Sequence, residues 1–166
     1  MEITTELVKK LRDRTGISVM QCRKALVEVG GDIEKAAAFL AKNSAEIAGK
    51  KEGRTLGAGL VISYIHSTGT VGTMVELLCE TDFVAKNEEF VKLARDIAMH
   101  ATATNPEFLK AEDVPAGSEA VKNGAVLLDQ PFIKNSEVTI TNLIQGAVQK
   151  FGEKIELSRF VRYSVS

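Results

Sequence analysis

The sequence predicts an α+β protein: a small three-helix module followed by a core of two α+β halves, with antiparallel sheets packed against helices. Three patterns carry that prediction. Apolar residues in the first fifty positions recur at helical spacing and are interrupted by Gly16 and by Gly30 with Gly31. The next apolar runs are β-type and joined by a short glycine-bearing turn, which suits an antiparallel pair, because parallel strands need a long crossover connection. The C-terminal third then repeats the strand and helix theme.

Within residues 1–50, the first helix carries Leu7, Val8 and Leu11 on one face, with Thr4 or Thr5 as its cap and Gly16 as its stop. Ser18 followed three residues later by Gln21 predicts a capping box for the second helix, whose buried stripe is Val19, Cys22, Leu26 and Val29. The third helix starts at Asp32, and Ile33, Ala36, Ala37 and Leu40 give its apolar face. Residues Gly49 to Gly59 hold four glycines among Lys50, Lys51, Glu52 and Arg54, without apolar periodicity. That composition predicts a linker over 51–57, with a boundary near residue 54.

The N-terminal half of the core spans 58–108. Leu60, Val61, Ile62, Tyr64 and Ile65 form one strand, Thr73 to Leu78 a second, and Ser67 to Gly72 the turn between them. Thr81 to Lys86 leads into a helix capped by Asn87, with Phe90, Val91, Ala94, Ile97, Ala98 and Ala101 on its apolar face and Asn105 with Pro106 at its end. A polar, turn-rich connection occupies 109–124. The C-terminal half, 125–166, begins with a short buried strand at Val126 to Leu128. It continues with a helix capped by Thr139 or Thr141 and carrying Leu143, Ile144, Ala147, Val148 and Phe151, stopped by Gly152, and closes with a long strand over Lys154 to Val165.

Composition excludes several function classes. Lysine plus arginine (21) nearly cancels aspartate plus glutamate (22), so no overall field draws the chain to nucleic acid or an anionic membrane. No apolar run approaches the roughly 20 residues that span a bilayer, and the first residues are polar and charged, unlike a signal peptide. The expected location is the cytoplasm. Cys22 and Cys79 are widely separated and sit in apolar patterns, which predicts reduced core residues and no disulfide scaffold. His66 and His100 stand alone, with no nucleophile or carboxylate motif beside them, so no catalytic residue is assigned. The glycines at 49, 53, 57 and 59 lack the lysine-serine ending of a phosphate-binding loop, and no His, Cys or Asp pair falls at metal-ligand spacing. Neither a metal nor a cofactor is expected. The chain should act by binding.

One segment stands out: Glu80, Thr81, Asp82, Phe83, Val84, Ala85, Lys86 and Asn87, which joins the second strand to the long helix. Two readings are open. In the first, Asp82 bonds local backbone amides in a turn while Phe83 and Val84 roof the core. In the second, the segment is a binding wedge, with the carboxylate competing for positions around a partner's magnesium ion and the ring occupying a pocket between the partner's helices.

Two stretches resemble the signatures of a known family. They run from Leu11 and Arg12 through Thr15, Gly16, Ile17, Ser18, Val19, Met20, Gln21, Cys22 and Arg23 to Leu26, and from Glu76 through Cys79, Glu80, Thr81, Asp82, Phe83, Val84, Ala85 and Lys86 to Asn87. Both resemble the elongation factor Ts family, and Phe151, Gly152, Glu153, Arg159 and Phe160 resemble its C-terminal end. The resemblance implies that residues 1–50 are a ubiquitin-associated-like module touching the GTPase domain of elongation factor Tu. The core's C-terminal half would reach a second domain of that partner. Asp82 and Phe83 match the family's intruding pair, flanked by Thr81, Val84 and Asn87, while Arg12, Met20 and Arg23, in or beside the inter-helix turn, are the module's candidate contacts. The implied function is guanine nucleotide exchange on elongation factor Tu, with no direct nucleic acid or membrane partner. Leu78 stands where the family commonly has asparagine and Gln21 where it commonly has an acid, and the middle of the chain lacks the helical hairpin of longer members. The rival reading is a non-catalytic adaptor whose first module binds ubiquitin-like folds.

Overall fold

A computed structural model describes residues 2–165. Three helices open the chain: α1 (Thr5–Thr15), α2 (Val19–Glu28) and α3 (Ile33–Lys50). Each begins where a short polar side chain can accept an otherwise unpaired amide. Thr4 takes the Leu7 N–H at 3.2 Å, Ser18 the Gln21 N–H at 3.4 Å and Asp32 the Lys35 N–H at 3.0 Å. Val8, Leu11, Ile17, Cys22, Ala25, Leu26, Ala36 and Leu40 are buried together and form this module's own core. One stripe residue of the sequence reading differs, since Val19 is exposed, while Val29 is half-buried against the module's core. Ile17, just ahead of the Ser18 cap, is buried with Cys22 one turn into α2 and takes the place expected of Val19.

The third helix is longer than its sequence pattern suggested and runs through Gly49, into the glycine-bearing stretch. Its last turns have apolar partners outside the module. Ile47 and Ala48 pack on the second core, whereas Leu40 belongs to the first, so one rod is embedded at both ends. The module is therefore fastened. Arg14 pairs with Glu34 at 2.6 Å and with Glu137 at 2.8 Å, its carbonyl accepts the Asn135 amide at 2.7 Å, and Ser44 hydrogen-bonds Gln149.

The core contains strands β1 (Ala58–Ile65), β2 (Val71–Cys79), β3 (Pro131–Phe132), β4 (Asn135–Thr139) and β5 (Glu156–Ser164), and helices α4 (Asp82–Ala85), α5 (Glu88–Thr104) and α6 (Ile140–Phe151). The main sheet has the order β1-β2-β5, antiparallel throughout. The two halves thus share one sheet, because the last strand returns to pair with β2. Leu60, Ile62, Val75, Leu77, Leu157 and Phe160 join the core with the buried face of α5, on which Phe90, Ala94, Ile97, Ala98 and Ala101 lie. Each large side chain so buried is worth about 1.5–3 kcal/mol. On the opposite sheet face Val61, Ile65, Met74 and Tyr163 are exposed. Gly59 permits the close approach of β1 to β2, since a Cβ there would lie 2.6 Å from the Leu77 carbonyl oxygen.

One local expectation is corrected and one element is new. Val126 to Leu128 is not a strand. The Leu127 and Leu128 amides bond the carbonyls of Phe108 and Leu109, and residues Leu127–Asp129 then close a 3₁₀ turn ahead of Pro131. The β3–β4 hairpin, absent from the sequence reading, follows immediately and is held at its far end by the Thr139 cap of α6.

His100, fully buried on α5, is satisfied as a neutral ring. Its Nδ1 accepts the Ile133 N–H at 3.1 Å, which leaves the proton on Nε2 to be donated to Gln130 Oε1 at 2.8 Å. Burial pushes the His100 pKa down, with the Gln130 bond opposing. The unfolded chain, with an ordinary imidazole near pKa 6.5, therefore binds a proton that the folded protein resists below about that pH. The contribution of His100 to stability should be complete above neutrality and fall as the pH drops toward 5.5. Urea unfolding at the two pH values should show a larger loss in the native protein than in His100→Gln.

Candidate functional site

The expected wedge lies where β2 leaves the sheet and the chain turns into α5. A single helical turn, α4, makes the connection, closed by Ala85 N–H to the Thr81 carbonyl at 3.2 Å and Lys86 N–H to Asp82 at 3.0 Å. Asn87 then caps α5 by accepting the Glu89 N–H at 2.9 Å. One turn cannot hide four successive side chains, because neighbours along a helix point about 100° apart. Val84 and Ala85 go inward onto the core, and Asp82 and Phe83 face outward.

Phe83 is 90% exposed, the most exposed of the protein's large apolar residues among those described. The roofing role suggested for it falls to Val84, with Ala85 beside it. Nor does the Asp82 carboxylate cap the turn or form an ion pair among the described residues. Thr81 and Asn87 are exposed on either side. The result is an acid and a bare ring presented side by side on a turn that is anchored from beneath.

Residues remote in sequence supply much of that anchorage. Glu153, in the bend between α6 and β5, accepts the backbone N–H of Glu80 at 3.1 Å, that of Thr81 at 3.0 Å and the Thr81 hydroxyl at 2.7 Å. Glu80 answers by accepting the Lys154 N–H at 2.6 Å and pairing with Arg54 at 3.4 Å. Cys79 donates its thiol to the Thr81 carbonyl at 3.3 Å. Burial, and then the Glu153 charge, push that thiol's pKa up and keep it a donor. Glu80 and Glu153 stood in the stretches that carried the family resemblance, but a partnership between residues over seventy positions apart leaves no periodic trace.

Arg12, Met20 and Arg23 are all exposed, Met20 by 68%, and Val19 and Val27 join Met20 and Arg23 on the outward face of α2. These residues are not brought into the wedge, since α4 packs on β1, β2 and α5. Lys150 pairs with Glu89 at the start of α5, and burial followed by the nearby Arg12 charge lowers its pKa.

Among the described residues no group of three His, Cys, Asp or Glu side chains could hold a metal ion, and no helix is long and apolar enough to cross a membrane. Comparison with known proteins gives one consistent result. The family model described as elongation factor TS matches residues 4–123. An elongation factor Ts from Desulforamulus reducens is 43% identical over 194 aligned positions, covering 99% of this chain and 89% of the relative. Those of Thermodesulfovibrio yellowstonii and Fervidobacterium nodosum are 42% and 40% identical, each over 99% of this chain, and 97% and 99% of their own lengths are covered. The 194 aligned positions exceed the 166 residues of this chain, so the relatives carry stretches that it lacks. The chain belongs to the elongation factor Ts family of translation elongation factors.

Proposed function

We propose that this protein is a guanine nucleotide exchange factor for elongation factor Tu, working in the cytoplasm and acting through binding with no covalent chemistry. The observation that carries this is the exposure of Phe83 beside Asp82 on an anchored turn. Such a factor binds the nucleotide-free GTPase better than the GDP-bound form, and linkage then requires GDP to loosen the factor by the same ratio. GDP affinity leans on a magnesium ion and on phosphate contacts. In this reading Phe83 parts helices near the magnesium site, and Asp82 disturbs the ion's surroundings, so the phosphate contacts weaken together with the metal.

Binding energy must come from more than the wedge, because a ligand shifts an equilibrium only by its differential affinity and each tenfold step requires about 1.4 kcal/mol. Residues 1–50 supply a second contact through Arg12, Met20 and Arg23, and 125–166 a third. Residues 51–57 connect the module to the half that carries the wedge, 58–108, and 109–124 joins the two halves of the core. Contacts held on one body raise the effective concentration of the wedge at its target.

Release of fluorescent GDP from elongation factor Tu tests the reading. Phe83→Ala should slow stimulated release by about tenfold or more, the scale of a buried aromatic anchor, while its urea stability stays within about 0.5 kcal/mol of the native protein. Phe90→Ala, inside the core, should instead lose about 3–5 kcal/mol. Release that stays at the spontaneous rate with the native protein would favour an adaptor and overturn the proposal. A different signature is expected for Met20→Ala with Arg23→Ala, in which the factor concentration giving half-maximal stimulation rises and the maximal rate is kept.

A further inference from the structure

We infer that Glu153 is the positioning residue of the wedge, aiming Phe83 from the opposite end of the chain; the functional half of this inference rests on the exchange reading above. A four-residue helix has almost no stability of its own, so what fixes α4 must lie at its ends. The C-terminal end is fixed by Asn87, which caps the next helix, and by the Asn87 N–H bonded to the Val84 carbonyl at 3.0 Å. At the N-terminal end Thr81 occupies the cap position, yet its hydroxyl does not cap the turn. That hydroxyl is donated to Glu153 at 2.7 Å, and the same carboxylate takes the amides of Glu80 and Thr81. A carboxylate accepting three donors forms the stronger, charge-assisted class of hydrogen bond.

The acceptor is itself held still. Gly152 ends α6 in the left-handed conformation, with φ of 70° and its N–H on the Val148 carbonyl, and Ile155 is buried two residues after Glu153. Between those points the Lys154 amide is bound by Glu80, so each strand end offers a carboxylate to the other's backbone. Removing the Glu153 carboxylate leaves the Glu80 and Thr81 amides without their acceptor and frees the Thr81 hydroxyl to turn back and cap α4. The backbone entering Asp82 then changes direction, and Phe83 with it. Val84 and Ala85 still bury, so the fold survives while the aim is lost.

The direct test is amide hydrogen exchange on Glu153→Ala in the otherwise intact protein. Protection should fall at Glu80 and Thr81 and be retained at Val75 and Leu77 in β2. Unchanged protection at Glu80 and Thr81 would overturn the inference whatever the protein's activity. The functional test uses GDP release from elongation factor Tu. Glu153→Ala should lower the maximal stimulated rate by about tenfold, the scale on which small misplacements act, with little change in the half-maximal concentration. Glu153→Gln, which keeps one oxygen for the two amides, should recover most of that rate. Because Glu153 acts through Phe83, adding Glu153→Ala to Phe83→Ala should cost nothing further. Additive losses in the double variant, or a native maximal rate in Glu153→Ala, would overturn the positioning role. Native release by Phe83→Ala would overturn the wedge reading itself and the functional half of this inference, leaving the exchange result to judge the structural half.

Discussion

The structure depends most on the way a single helical turn divides its side chains. Between the end of β2 and the start of α5 the chain reverses through the four-residue turn α4, and the core has room for Val84 and Ala85. Helical geometry then puts Asp82 and Phe83 outside. A free phenylalanine would gain about 1.5–3 kcal/mol by burial, so an exposed ring persists only where the backbone prevents its collapse. Here it is held by the Asn87 cap, the thiol of Cys79 and the carboxylate of Glu153. Close approach of β1 to β2 at Gly59 lies beneath the same junction.

The second constraint is the rigid body behind the turn. Because α3 is buried in two cores in succession, the surface carrying Met20 and Arg23 and the turn carrying Phe83 belong to one assembly. Arg14, bridged to Glu34 within the module and to Glu137 on β4, reinforces the connection, and both partners and burial bear on its guanidinium, whose pKa is raised chiefly by the Glu34 hydrogen bond. Surface ion pairs of this kind contribute little alone. The shared apolar face of α3 contributes more. A binding protein built this way presents its contacts at a fixed spacing and gives up less freedom on association than one whose parts swing separately.

Much of this was legible in the sequence where the determinants are local. Ser18, Asp32 and Asn87 cap helices where their neighbours' spacing indicated, Thr4 and Thr139 prove to be the caps from the two candidates open at each of their helices, and Gly16 and Gly152 end helices in left-handed conformation. Of the capping box expected at Ser18 and Gln21, only the bond from the Gln21 N–H to Ser18 forms. Exposure of Phe83 was one of two open readings, because composition does not say which residues of a single turn meet the core. What the sequence left hidden is long-range. The return of β5 to β2, the extension of α3 onto a second core and the bond from Glu153 to Thr81 all join residues with no shared period. Apolar residues were also misread where two candidates competed, as when Ile17 displaced Val19 and when Val126 to Leu128 paired with Phe108 and Leu109 instead of a sheet.

The central claim is that the Phe83 ring faces water in the free protein and enters a pocket of the GTPase in the complex. Fluorine NMR of protein labelled with 4-fluorophenylalanine measures this directly, with the Phe83 signal assigned by its loss in Phe83→Leu. The account predicts a solvent-accessible resonance in the free protein, one shielded from a soluble paramagnetic agent on binding nucleotide-free elongation factor Tu, and return to the first state when GDP is added. A ring already shielded in the free protein, or one that stays accessible in the complex, would contradict it.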